Sequence, residues 1–222
     1  MQGEYVRRIV QLALAEDIGT GDVTTLATVP EDLQASGYLL AKSPGVLSGL
    51  EVAAAVFHEV DPAITFEPLA ADGDRIERGQ HLARVSGPAR GILSAERVAL
   101  NFVQRLSGVA TLTARYVAAV EGTGARIIDT RKTTPGMRLL EKAAVRHGGG
   151  HNHRVGLSDG VLIKDNHLAA IGGADRIARA VAAARAFAPH TLRIEVEVTS
   201  LEELDQALAA GADVILLDNM PI

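Results

Sequence analysis

Basic side chains crowd the stretch Asp129–His167, DTRKTTPGMRLLEKAAVRHGGGHNHRVGLSDGVLIKDNH, in a chain whose formal net charge is -5. Cations concentrated within an acidic chain point to a local pocket for a small, multiply anionic ligand rather than to a nucleic-acid surface. Arg131, Lys132, His153, Arg154 and Lys164 stand beside glycines or at the ends of apolar runs, where side chains meet a shared cavity. Arg138, Lys142 and Arg146 recur every fourth residue among Leu139, Leu140, Ala143 and Ala144, and are expected on the wet side of an amphipathic helix. Two carboxylates complete the set: Glu197 near the end of one apolar run and Asp218 directly after another.

The elements that must position these groups alternate. Strands are expected at Ala125–Asp129, Val161–Ile163, Leu192–Val198 and Asp213–Leu217, with helices over Gly173–Phe187 and Leu201–Ala210 between the later ones. Strands alternating with helices make parallel βα units, and in a βα barrel the chemistry gathers at the carboxyl ends of the strands. Those ends carry Arg131 and Lys132, then Lys164, then Glu197, then Asp218: cations on one side and carboxylates on the other. The last strand is followed by no helix, and an open edge of buried strands is a liability. The barrel therefore reads as truncated at its C-terminal end, with a natural chain expected to continue past Ile222 and the chain as written expected to be inactive or poorly soluble.

The N-terminal half reads differently. A helix is expected over Tyr5–Glu16, broken by Gly19-Thr20-Gly21-Asp22. A strand follows at Leu33–Lys42, then a helix opened by Ser48-Gly49 and ended by Asp61-Pro62. Strands at Ile64–Pro68 and His81–Ser86 flank the turn Asp72-Gly73-Asp74. Ser94 is expected to cap a long helix from Ala95 to about Glu121, with Glu96 and Arg97 in its first turn and Gly108 as a division point. The phrase ADGDRIERGQHLARVSGPA resembles the folded strands of biotinyl and lipoyl carrier domains, without their central lysine.

Composition bounds the function. Hydrophobic residues make up 47% of 222 residues, enough for one or two domains with a real core, while aromatics are only 3%, so packing relies on aliphatic side chains. The absence of cysteine excludes disulfides, thiolate metal sites and a cysteine nucleophile, and fits a reducing, cytoplasmic setting. No apolar run approaches the roughly 20 residues of a membrane span.

The phrases LALAEDIGTGDVTT, GVLSGLEVAAAVF, ERVALNFVQRLSGVAT, the Asp129–His167 stretch, EVEVTSLEEL and ILLDN, in this order, resemble the quinolinate phosphoribosyltransferase (decarboxylating) family, the nicotinate-nucleotide pyrophosphorylases, over nearly the whole chain. The resemblance implies an α/β protein with an N-terminal α/β sandwich domain, residues 1–108 including the start of a long linking helix. An open parallel α/β barrel, residues 109–222, follows and is incomplete here. It implies phosphoribosyl transfer from phosphoribosyl pyrophosphate (PRPP) to quinolinate with decarboxylation, giving nicotinate mononucleotide, pyrophosphate and CO₂ in NAD biosynthesis. It also implies a head-to-tail homodimer in which Arg97 reaches the neighbouring subunit's site. Site residues carried over are Arg97, Arg131, Lys132, His153, Arg154, Lys164, Glu197 and Asp218. The family's Gly-rich phosphate loops lie beyond the last strand of this chain.

Quinolinate carries two adjacent carboxylates, and arginine's planar fork suits them. Arg97, Arg131, His153 and Arg154 are expected on the dicarboxylate, with Lys132 and Lys164 toward the phosphoribosyl side. Glu197 and Asp218 are expected to act on PRPP through Mg²⁺ and its waters, without a direct protein–metal bond. Residues alone leave other readings open. Lys164 at a strand end suits a Schiff-base lyase. His147, His151 and His153 suggest a metal site, without an evident acidic second layer. A passive binding module, and a related pyrophosphorylase-like protein of the kind associated with molybdenum transport, remain as well.

Overall fold

The computed structural model describes residues 2–221, which divide into two compact units, 1–153 and 154–222. In the first unit, helix α1 (Gln2–Ile18) buries Val10 and Leu14, one helical turn apart. It stops at Gly19 and Gly21, both at positive φ, and Asp22 then caps a short helix α2 (Val23–Thr28) by accepting from Thr25 N at 3.0 Å. Strands β1 (Gln34–Leu40), β2 (Gly45–Val46), β3 (Thr65–Pro68), β4 (Arg75–Ile76) and β5 (His81–Pro88) form two antiparallel sheets, in the orders β1-β5-β3 and β2-β4. Helix α3 (Leu50–Val60) begins after Gly49 and ends at Asp61.

The expected strands and helices of this half are present, but the long helix is displaced. It runs Ala89–Ala119 (α4), so its start lies ahead of Ser94. The reason is the junction before it. Gly87 takes a φ of 146°, and a Cβ there would stand 3.0 Å from Ile64 Cα, so only glycine lets β5 turn here. Pro88 then leads directly into α4. Ser94 is interior to the helix and donates its hydroxyl to Asp22 Oδ2 at 3.1 Å, tying α4 to the cap of α2. Arg97 accordingly sits beyond the first turn, where the positive end of the helix dipole has little effect on it. Gly108 does not divide the helix. The site is exposed with open space around it, where glycine costs only propensity.

Val98, Phe102, Val103 and Leu106 of α4 interlock with Val52, Val56 and Phe57 of α3 in one apolar core. Helix α5 (Arg138–His147) closes this unit against α4 through Leu140 and Ala144. The segment Ala125–Asp129 is not the buried strand expected. It forms a single parallel bridge, Ile128 to His151, and Ile128 is 51% exposed. Two adjacent isoleucines gave a run too short to distinguish a paired strand from a loop.

The second unit is a parallel sheet, order β6-β7-β8, built from β6 (Val161–Ile163), β7 (Ile194–Val198) and β8 (Val214–Leu217). Helices α6 (Asp165–Ile171), α7 (Arg176–Phe187) and α8 (Leu201–Ala209) connect them. Val196, Val198, Ile194 and Ile163 pack on Ile177, Val181 and Ala207. Gly172 and Gly173, both at positive φ, separate α6 from α7, which is why α7 starts at Arg176 rather than at Gly173.

Candidate active site

The candidate residues fall into one group in each unit. In the second, register brings three of them to the same ends of adjacent strands. Ile163 pairs with Val196 and Val198 with Leu217, so Lys164, Glu197 and Asp218 follow one another across the carboxyl edge of the sheet. Lys164 Nζ lies 2.5 Å from Glu197 Oε2, with the lysine side chain 41% and the glutamate 10% exposed. The Lys164 backbone N–H donates to His167 Nδ1 at 2.9 Å, which fixes the turn into α6. The backbone N–H of Asp218 donates to Val198 O at 2.9 Å, extending the ladder one residue past β8, while its exposed carboxylate has no side-chain partner among the described residues. Arg154 Nη1 donates to Gly160 O at 3.0 Å, folding the loop ahead of β6 onto itself.

In the first unit the cations hang on a framework of buried polar groups. Lys142 does not face solvent as its spacing suggested. It is 2% exposed and its ammonium meets Asp129 Oδ1 at 2.5 Å and His153 O at 3.0 Å. Asp129 also accepts from Asn152 Nδ2 at 2.6 Å and from His153 N at 2.8 Å. A buried ion pair is tolerable only when further hydrogen bonds satisfy both charges, as here. Arg138 is half-buried and also turned inward, donating to Thr133 Oγ1 at 3.1 Å and to Arg131 O at 3.4 Å. Arg146 alone of the three lies on the exposed face, bonded to Asn152 Oδ1.

The turn carrying Arg131 and Lys132 is pinned at both ends. Thr130 Oγ1 accepts from Lys132 N at 3.0 Å, and Thr134 is held through its backbone N–H and hydroxyl by Glu141. Arg105 on α4 reaches Glu141 Oε1 at 2.8 Å and Thr134 Oγ1 at 2.8 Å. Burial pushes the Glu141 carboxyl up, but hydrogen bonds from Thr134 and Arg105 outweigh it and hold the group below its ordinary value. The Arg131 and Lys132 side chains make no hydrogen bond or ion pair among the described residues, nor does that of Arg97, exposed on α4. His147 Nδ1 and Ser48 Oγ are 2.8 Å apart, which engages one histidine of the supposed metal cluster in a local contact.

Two family profiles match the chain: "Quinolinate phosphoribosyl transferase, N-terminal domain" over residues 22–107, and the C-terminal domain of the same family over residues 109–222. The chain belongs to the quinolinate phosphoribosyl transferase family. It is 49% identical over 222 residues to the nicotinate-nucleotide pyrophosphorylase (carboxylating) of Mycobacterium leprae, covering 99% of this chain and 77% of that protein. It is 45% identical to the probable enzyme of that name from Bacillus subtilis, covering 97% and 73%. Among solved structures, NadC from Streptococcus pyogenes superposes with a TM-score of 0.90 at 46% identity, covering 97% of this chain and 75% of that one. The nicotinate-nucleotide pyrophosphorylase of Francisella tularensis matches with a TM-score of 0.90 at 41% identity, covering 98% and 75%. The family architecture, an N-terminal α/β sandwich followed by an α/β barrel domain, is the fold of this chain.

Sequence reasoning missed the framework beneath the family's cations. Asp129 was read as a strand end and Lys142 as helix surface, while Glu141 and Arg105 were given no role. Spacing gave no signal for this, since both Glu141 and Lys142 are buried on a helix whose charges recur as on a solvated face.

Proposed function

We infer that these side chains divide the two substrates of the family's reaction between them. That reaction, a pentosyl transfer, moves phosphoribose from PRPP to the ring nitrogen of quinolinate with loss of CO₂. Its products are nicotinate mononucleotide, pyrophosphate and CO₂, for NAD biosynthesis. Arg131, His153 and Arg154, joined by Arg97 of a second subunit, take the two carboxylates of quinolinate. Lys132 and Lys164 take the phosphoribosyl side. Each charge-assisted hydrogen bond of this kind contributes roughly 1.5–3 kcal/mol.

The observation that carries this reading is the sequence of charges along the strand ends of β6, β7 and β8: an ammonium, a carboxylate in contact with it, and a second carboxylate one strand on. Lys164 is 41% exposed and paired with Glu197, not enclosed in the apolar pocket that activates a Schiff-base lysine. Glu197 and the exposed Asp218 are oxygen donors of the type Mg²⁺ takes, and one or two carboxylates with waters is its usual protein complement. Bound there through water, Mg²⁺ would neutralise charge on the departing pyrophosphate. The Glu197 and Asp218 carboxylates themselves stabilise positive charge developing at the ribose carbon. The cations hold the dicarboxylate so that the ring nitrogen faces that carbon. Once the nitrogen is quaternary, carbanion formation beside it on loss of CO₂ is favoured, and no covalent enzyme intermediate is needed.

The same reading makes the enzyme a cytoplasmic homodimer. In support, the chain has no cysteine, and the exposed Arg97 has no intramolecular partner among the described residues to explain its placement. No described helix is long and apolar enough to cross a membrane. Calorimetric titration tests the substrate assignment. Nicotinate lacks one carboxylate and would leave cations unpaired, so it should bind at least about a hundredfold more weakly than quinolinate. Equal affinities would remove the assignment of these cations.

A further inference from the structure

The Asp129–Lys142 ion pair holds no role in the division of substrates above, yet both of His153's backbone polar groups end on it. His153 N–H donates to Asp129 Oδ1 at 2.8 Å, and His153 O accepts from Lys142 Nζ at 3.0 Å. Asn152, one residue earlier, donates through Nδ2 to Asp129 Oδ2 at 2.6 Å and to Lys142 O at 2.9 Å. The same Asp129 opens the turn that bears Arg131 and Lys132, and its own N–H donates to His151 O at 3.0 Å. Two chain segments far apart in sequence are thereby registered on one buried carboxylate.

We propose that the buried Asp129–Lys142 pair is the positioning element of the quinolinate half of the site, fixing His153 and the Arg131-Lys132 turn for the dicarboxylate. This rests on the substrate assignment given above. Lys142 does not attract the ligand itself. It is 2% exposed at the side chain, and with Asp129 forms a pair of zero net charge. Its effect on binding is through place, not field. An apolar contact would bury the same area at less desolvation cost, but it would not fix the His153 backbone by both its N–H and its C=O; setting register is the best-attested use of a buried ionic pair.

The test is titration of purified full chain with quinolinate and, separately, with PRPP and Mg²⁺, alongside the thermal midpoint. Lys142→Met keeps the side-chain length and removes the charge. The expected result is a quinolinate Kd raised about tenfold to a hundredfold, as for a misplacement of order an ångström, with a much smaller loss of PRPP affinity, because Lys132 is the one group on this framework assigned to PRPP. If folded Lys142→Met binds quinolinate as wild type does, the pair does not position the site. If both affinities fall equally, together with the thermal midpoint, its role is general packing and the proposal is overturned. Where Lys142→Met fails to fold, Asn152→Ala, which removes the bonds to Asp129 and Lys142 O and the one from Arg146 but leaves the ion pair, is judged by the same split. A wild-type chain that binds PRPP but not quinolinate would instead reject the substrate assignment, a result distinct from any variant's.

Discussion

Lys164 Nζ and Glu197 Oε2 stand 2.5 Å apart across the paired strands β6 and β7. With the lysine 41% exposed, solvent screening leaves little stability in this contact. Its consequence is orientation: the carboxylate holds the ammonium over the strand ends, and the ammonium keeps Glu197 from swinging away. Asp218 on the next strand has no such partner among the described residues.

The two acids should therefore differ from the cations in what their loss does. Glu197→Ala and Asp218→Ala are expected to slow turnover by about a hundredfold or more, the scale of losing one electrostatic contact to developing charge. Quinolinate affinity, measured by titration without PRPP, should stay within about threefold, because neither acid contacts the dicarboxylate in this assignment. Loss of quinolinate affinity with turnover intact would put the acids on the wrong substrate.

Gly148 closes the turn after α5 at ordinary φ, so its need for glycine is one of space. A Cβ there would meet Ala110 O at 2.3 Å and Thr113 Cβ at 2.7 Å, both on α4. Neither the helix carbonyl nor the buried threonine can retreat cheaply. Gly148→Ala should cost roughly 1–3 kcal/mol, the range for overpacking a closed site. Urea unfolding monitored by circular dichroism would show it. A midpoint equal to wild type would mean that α5 can move off α4 freely.

How far the site could be read from the residues depended on where each charge points. The strand-end positions of Lys164 and Asp218 were legible because each ends an apolar run, and a strand ending in a charge has few places to put it. Lys142 was not, since spacing of four along a helix says which residues share a face but not whether that face meets water or a buried carboxylate such as Asp129. The start of α4 was hidden for a related reason. Ser94 has the chemistry of a helix cap, and only the path of β5 through Gly87 and Pro88 shows that the helix is already under way. Ile127-Ile128 misled because apolar content alone does not supply strand partners.

Glu141 should contribute an acid-sensitive part of the stability. Its ordinary pKa is 4.5, and in the fold it is lower, burial opposing the change and the Thr134 and Arg105 hydrogen bonds overcoming it. A group depressed in the folded state stabilises at pH above its unfolded value, and that contribution is lost as pH falls through the folded value. Wild type should thus have a higher thermal midpoint than Glu141→Gln at neutral pH. The gap should narrow steadily as pH drops below 4.5. A gap independent of pH across that range would mean that the carboxylate's charge contributes nothing to holding the Thr133-Thr134 turn.

Arg97 supplies the test of subunit exchange. It lies exposed on α4, past the first turn, so neither helix capping nor the helix dipole explains it. In the proposed homodimer it completes the partner's barrel, so each site combines one subunit's Lys132 with the other's Arg97. Arg97→Ala alone should be nearly inactive, and Lys132→Ala alone likewise. Co-expressed with random assembly, about half of the dimers would be mixed. In a mixed dimer, the subunit that keeps Lys132 is the one that carries Arg97→Ala, and its partner supplies the intact Arg97. That site is whole, while the other carries both defects. About a quarter of all sites should then recover activity by this dimer counting. Native mass spectrometry would establish that mixed dimers formed. Mixed dimers without recovered activity would show that Arg97 works within its own subunit or takes no part in the site.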